Sequence, residues 1–367
     1  MTIRWPTLYM TLLGVMFLFT LGTKASDLPT DHTPGSEYSI DYSDLDLILK
    51  GSVLNMGPST HKPPITRFAR ATGSRIQVGN TRMTNQEGNR VMIHAFEAPE
   101  LAYLKKIRDE ILAVPTNLPL EHLSKNEQLA YWFNLHNVIV LAKISEEYPV
   151  TYLNNFFDTN GRDSFLNQKQ FSFNNTLISL ADIQQHVLTN WNNPVVIYGF
   201  YLGAVGTPNV RTAAYKGATV YEHLHANAVD FVNSMRGTQI WKSSELRVST
   251  YYERMNSKFP NFERDVRAHI NKYAKDNFKR RIASTTSISA DIEDWHIADL
   301  YNGRPFSSPG ARYAGTTTDG SGNQFKMRLS AHAANILRAR ERKLFRLYRN
   351  RGSTVDIEEL PQTEKPE

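Results

Sequence analysis

SKNEQLAYWFNLHNVIVLAKISEE, residues 124–147, combines a helix-start signal, a long apolar run and three polar residues where apolar ones would be expected. Ser124 and Glu127 have the spacing of a capping box, in which the hydroxyl accepts from the Glu127 amide and the carboxylate returns to the Ser124 amide. A helix is therefore expected from Lys125. From Leu129 to Ile144 apolar residues fall on every face (Trp132, Phe133, Leu135, Val138, Ile139, Val140, Leu141), the pattern of a helix surrounded by protein rather than lying on a surface. The run is too short for a bilayer span, which needs roughly 20 apolar residues. The stretch reads as the central helix of a core in which Trp132 and Phe133 are buried. Asn134 and Asn137 share a face of it, with His136 between them in sequence. Buried amides and imidazoles need partners, so these three either pin an adjacent loop or strand or line a ligand site.

Three segments in order carry a family resemblance. NEQLAYWFNLHNVIV (126–140), SLADIQQHVL (179–188) and VVIYGFYLGAVGTPNVR (195–211) resemble the signature segments of the domain of unknown function family 547, secreted bacterial type. Those segments are E-Q-x-A-F-W-I-N-x-Y-N-A, S-L-x-D-I-E-H-x-I-L, and an apolar strand followed by C-x4-C-P-x-L-R. The resemblance runs from about Leu118 to Trp241 and implies a papain-like or transglutaminase-like core. Where the family has Glu-His, this chain has Gln184 and Gln185, followed by His186; where the family has two cysteines, it has Leu202 and Thr207. A thiolate, an imidazole and a group that orients it are what thiol-dependent acyl transfer uses. If the family positions carry that chemistry, this chain has lost both the thiol and the imidazole.

Around this core the expected organisation is a signal peptide (1–25), a polar linker (26–44), a strand and helix extension (45–115), the family-like core (116–245), a C-terminal extension (246–325), a basic helix (326–351) and an acidic tail (352–367). Arg4, the apolar run LYMTLLGVMFLFTLG and Thr23-Lys24-Ala25 form the charged, apolar and small-x-small parts of an export signal. An uncleaved anchor is the competing reading. Export places the mature chain in the periplasm or outside the cell, and loss of Arg4 and Lys24 lowers the formal charge from +6 to +4. That compartment argues against nucleic acid as a partner, and with no cysteine in the chain no disulfide is available there.

The fold class expected is α+β, with the central helix packed on a small mixed or antiparallel sheet and helical extensions. A hairpin is expected in residues 74–96, an amphipathic helix over Pro99–Ala113, a short strand near Gln170–Phe173, a helix capped by Ser179 and Asp182, and a helix over Val220–Met235. Pro194–Leu202, apolar on both faces, reads as an interior strand, and Gly203, Gly206 and Pro208 as a tight turn. The Gly/Ser/Thr-rich stretch 307–323 reads as a loop without the order of residues that cradles phosphate. No cofactor motif is present, and no metal site is expected: His223 and His225 point about 200° apart on a helix. Glu293, Asp294 and His296 read as polar residues flanking buried Trp295 and Ile297.

Residues 329–351 form a basic helix whose apolar stripe includes Leu337, Leu344 and Phe345. It either docks on the parent domain or meets an anionic surface through Arg338, Arg342, Lys343, Arg346 and Arg349. Two functions follow. The first is a non-catalytic envelope protein binding a peptide, a glycan or a partner protein. The second is a hydrolase or acyltransferase using Thr207 or a serine with His136 or His186. A Thr207 hydroxyl within about 3.5 Å of an imidazole nitrogen favours the second. The first instead expects Leu202 buried and the Thr207 hydroxyl bonded to nearby backbone.

Overall fold

The computed structural model describes residues 28–62, 67–68, 77–78, 84, 87–304, 313–318, 324–329 and 331–349. The expected signal peptide and acidic tail lie outside them. Its helices are α1 (Ser43–Ser52), α2 (Ala98–Asn117), α3 (Lys125–Glu146), α4 (Leu180–Asn190), α5 (Val220–Val232), α6 (Tyr251–Arg254), α7 (Phe262–Tyr273), α8 (Asp276–Ala283) and α9 (Ala331–Arg349). Its strands are β1 (Val53–Leu54), β2 (Arg67–Phe68), β3 (Gln77–Val78), β4 (Arg90–Val91), β5 (Phe171–Phe173), β6 (Thr176–Ile178), β7 (Thr238–Trp241), β8 (Glu245–Ser249), β9 (Ser287–Ile292), β10 (Tyr313–Thr318) and β11 (Gln324–Leu329). The class is α+β. Antiparallel pairs join β1 with β4, β2 with β3, β5 with β6, β7 with β8 and β10 with β11, while β9 lies parallel to β8.

Helix α3 is enclosed as its all-round apolar pattern requires. It lies against α2, α4, α5 and the short 3-10 turn Gly217–Thr219, and Trp132 and Phe133 have no exposed surface. The β5–β6 hairpin reaches it through the rings of Phe173 and Trp132, 5.3 Å apart. That hairpin turns at Asn174 and Asn175, both with positive φ, a conformation asparagine tolerates better than most residues. The capping signals survive with one change. Ser179 and Asp182 form a complete capping box on α4. Ser124 Oγ accepts from the Glu127 amide at 3.3 Å, but the Glu127 carboxylate does not return to Ser124. It is buried and accepts instead from the amides of Ile40 at 3.1 Å and Gly217 at 2.8 Å. A helix N-terminus favours a carboxylate in its first turn, and here the tertiary structure uses that carboxylate to tie two distant strands of backbone to α3.

The expected linker is an arm strapped over the start of this helix. Thr33 Oγ1 and Ser36 Oγ donate to the carbonyls of Glu121 and His122, and Gln128 Nε2 donates to Asp31 O.

Four expectations are corrected. The hairpin placed in 74–96 does not form as one unit: β3 pairs upstream with β2 and β4 with β1. Pro194–Leu202 is not a strand, because Pro194–Gly199 is a 3-10 helix whose cap, Asn193, accepts from the Val195 amide. Asn followed by Pro is a helix-start pair, and a short apolar run buried on all sides satisfies either geometry. The stretch read as a loop at 307–323 contains β10, and its partner β11 runs to Leu329, so the basic helix begins at Ala331. On α9 the docking face is set by Ala333, Ile336 and Leu337 against Met56, Leu300 and Tyr301. Phe345, read as part of the apolar stripe, is 67% exposed, and Lys343, read as one of the cations that could meet an anionic surface, is 4% exposed. Arg349's side chain lies outside the described residues.

Candidate functional site

Three of the polar residues expected at the site converge. Gln184 Nε2 lies 3.0 Å from His136 Nε2, and His136 Nδ1 lies 3.0 Å from Asn137 Oδ1. The amide nitrogen can only donate, so Nε2 accepts and the ring proton sits on Nδ1, pointing at Asn137. Asn137 in turn donates to Gly199 O at 2.9 Å and accepts from the Tyr201 amide at 2.9 Å. The result is a relay from α4 through α3 to the backbone that follows the 3-10 helix, with every polar atom of the imidazole used. Burial pushes the His136 pKa down to about 4, against a smaller opposing effect of the Asn137 hydrogen bond. Asn134 does a separate job: its amide donates to Tyr215 O and accepts from Tyr215 N, both at 2.8 Å.

The remaining positions are not part of that relay. Gln185 points outward and donates to Thr189 Oγ1. His186 is buried against Trp132, with ring centroids 4.9 Å apart, and Trp191, and burial pushes its pKa down to about 4. Its Nδ1 lies 3.2 Å from Asn190 Nδ2, and its Nε2 has no hydrogen-bond partner. Leu202 is fully buried. Thr207 is also buried, and its hydroxyl donates to Ala204 O at 2.9 Å, not to an imidazole. The turn carrying these residues is threaded against the 294–298 segment: Val205 and Gly206 amides donate to His296 O and Asp294 O, and the Ala298 amide donates to Gly203 O. Gly203 has φ +76°, and a Cβ at Gly206 would stand 2.8 Å from the Asp294 amide. Both must be glycine for the turn to sit there.

A charged cluster beside Thr207 escaped the sequence reading. Arg236, 1% exposed, donates to Thr207 O and to Asp230 Oδ2, the latter at 2.9 Å, while its backbone amide donates to Glu87 Oε2 at 3.2 Å. Asp230 also accepts from the Ser59 amide and from Asn209 Nδ2. Burial pushes the Glu87 pKa up to about 7, with Arg236 opposing. Lys343 enters from α9, where its ammonium donates to Gly57 O at 3.4 Å. Residues 87, 230, 236 and 343 share no spacing, so no sequence signal could have joined them.

Among the described residues no group of three His, Asp or Glu side chains is placed to hold a metal. His225 Nδ1 bonds to Tyr273 OH at 3.1 Å, and His223 lies near Tyr215. His296 and Asp294 form a pair at 2.8 Å, and the Thr84 hydroxyl beside them donates to Asp294, so among the described residues no hydroxyl is hydrogen-bonded to that imidazole.

Enclosed helix, capped α4 and the glycine turn all fall within residues 120–232, the segment that matches the family model described as "Protein of unknown function, DUF547". The segment is thus a DUF547 segment, flanked by chain outside the match. No curated protein and no solved structure matches the chain.

Proposed function

We propose that this protein is a non-catalytic binding module that works in the periplasm or outside the cell, with a peptide, a glycan or an envelope protein as its partner. The observation that carries this reading is the internal commitment of the groups a catalytic pair would need. Thr207 Oγ donates to Ala204 O, and both ring nitrogens of His136 are bonded to side-chain amides. A general base must have a ring nitrogen within reach of the proton it removes, and His136 keeps none. The neighbouring His186 has one ring nitrogen bonded to Asn190 and the other buried.

Export is supported by the charged, apolar and small-residue parts of residues 1–25. A contact between α9 and an anionic surface rests on Arg338, Arg342 and Arg346, because Lys343 is turned inward. The test uses protein recovered after export. N-terminal sequencing begins at Ser26 or Asp27, and chromogenic esters and mixed peptides are not turned over. A turnover that drops by about 100-fold or more in Thr207→Ala, the scale of a lost catalytic group, overturns the reading.

A further inference from the structure

We propose that the cleft between residues 55–59, the 209–212 turn, α5 and Lys275 is a seat for a carboxylate, presented by a small organic acid or by the C-terminus of a peptide. The proposal rests on the binding-module reading and assigns its ligand chemistry. The cleft encloses about 270 Å³, just below the ~300 Å³ at which sites for drug-sized ligands begin. It therefore suits a fragment of one or two residues' size.

Most polar atoms in its walls are already used. Asn89 accepts from the Met56 amide and donates to Val210 O. Asn209 accepts from the Asn89 amide and donates to Asp230. Asp230 takes three hydrogen bonds, one of them from buried Arg236, which offsets its charge.

What the cleft leaves unsatisfied is cationic. Arg211 Nη1 makes one long contact, 3.5 Å, to His223 O, and its Nε is buried with no hydrogen-bond partner. Lys275 Nζ stands 3.5 Å from Ser59 O, and the buried Ser59 hydroxyl likewise has no partner. Neither cation forms an ion pair with a described carboxylate; Glu222 acts on the Arg211 charge only through space, without a hydrogen bond. The terminal nitrogens of the planar guanidinium fork match the two oxygens of a carboxylate, while the ammonium adds a second charge. The Tyr215 ring, 5.9 Å away, braces the guanidinium. A phosphate dianion fits less well, because Asp230, whose charge Arg236 offsets only in part, also lines the cleft and opposes two negative charges more than one.

The test titrates the full chain with N-acetyl-alanyl-alanine, its C-terminal amide, acetate and inorganic phosphate, following heat and, by mass spectrometry, the integrity of the peptide. The acid is expected to bind at least about tenfold more tightly than the amide, and Lys275→Gln and Arg211→Lys are each expected to weaken it about tenfold, the scale of one charge-assisted hydrogen bond. Lys275 is exposed, so its substitution leaves the fold intact. Competition by acetate assigns the seat to small acids; failure of acetate to compete assigns it to a chain end. Equal binding of acid and amide, tighter binding of phosphate, no binding of any probe, or no effect of Lys275→Gln overturns the proposal. Cleavage of the dipeptide overturns the non-catalytic reading and leaves the carboxylate seat standing.

Discussion

Acidification from about pH 7.5 to about pH 5 is expected to lower the stability of this protein by roughly 5 kcal/mol. Burial is the leading cause that holds His61, His136 and His186 down to about 4 and His269 down to about 3 in the folded chain. An unfolded histidine titrates near 6.5. With the folded value depressed, the unfolded chain binds more protons between those two values. Stability is therefore fully present above about pH 6.5 and is lost as pH falls toward 4, by about 2 kcal/mol per histidine at pH 5. Glu87 works in the opposite direction. Its folded value, raised to about 7, means that acidification relieves a buried charge and returns about 2 kcal/mol by pH 5. Buried Asp299, also raised by burial, adds to that return. Urea midpoints at the two pH values check the balance. Equal midpoints would mean that the four imidazoles titrate alike in the folded and the unfolded chain, and would overturn the prediction.

Trp132→Ala is expected to cost about 3 to 5 kcal/mol at neutral pH, the range for deleting an enclosed aromatic. Trp132 has no exposed surface and packs against the rings of Tyr131, Phe173 and His186 at 5.0, 5.3 and 4.9 Å. Its indole nitrogen has no hydrogen-bond partner, so the loss is one of packing and of the cavity left between α3, α4 and the β5–β6 hairpin. Trp132→Phe should recover a large part of it, since most of the contact area is restored. A wild-type denaturant midpoint in the alanine variant would show that α3 is not the centre of the core.

The two predictions draw on different depths of information. That Trp132 is enclosed follows from residues within a few turns of it, because a helix apolar on every face can only be stable when protein surrounds it. The same local logic made α4 legible from Ser179 and Asp182, and α2 from the spacing of Leu104, Ile107 and Ile111, all buried. Which of the polar residues meet was not legible. Asn134, His136 and Asn137 are neighbours on one helix, yet Asn134 grips Tyr215 while the other two join Gln184, Gly199 and Tyr201. The relevant partners lie 48 to 81 positions away.

By itself, then, the sequence determined the enclosed helix, the capped α4, the sharp turn at Gly203 and Gly206 and the α+β class, because each depends on backbone and burial preferences that act over a few residues. The tertiary structure alone decided that Pro194–Gly199 coils instead of extending, since a short apolar run buried on all sides is compatible with either form. It alone turned the Glu127 carboxylate from its own helix end to Ile40 and Gly217, and drew Lys343 inward beside Glu87, Asp230 and Arg236. It also left Arg211 and Lys275 at one cleft without an ion pair to any described carboxylate. Charge partners are chosen by proximity in space and by the cost of burying a charge unpaired, and neither quantity is written in the order of residues along a chain.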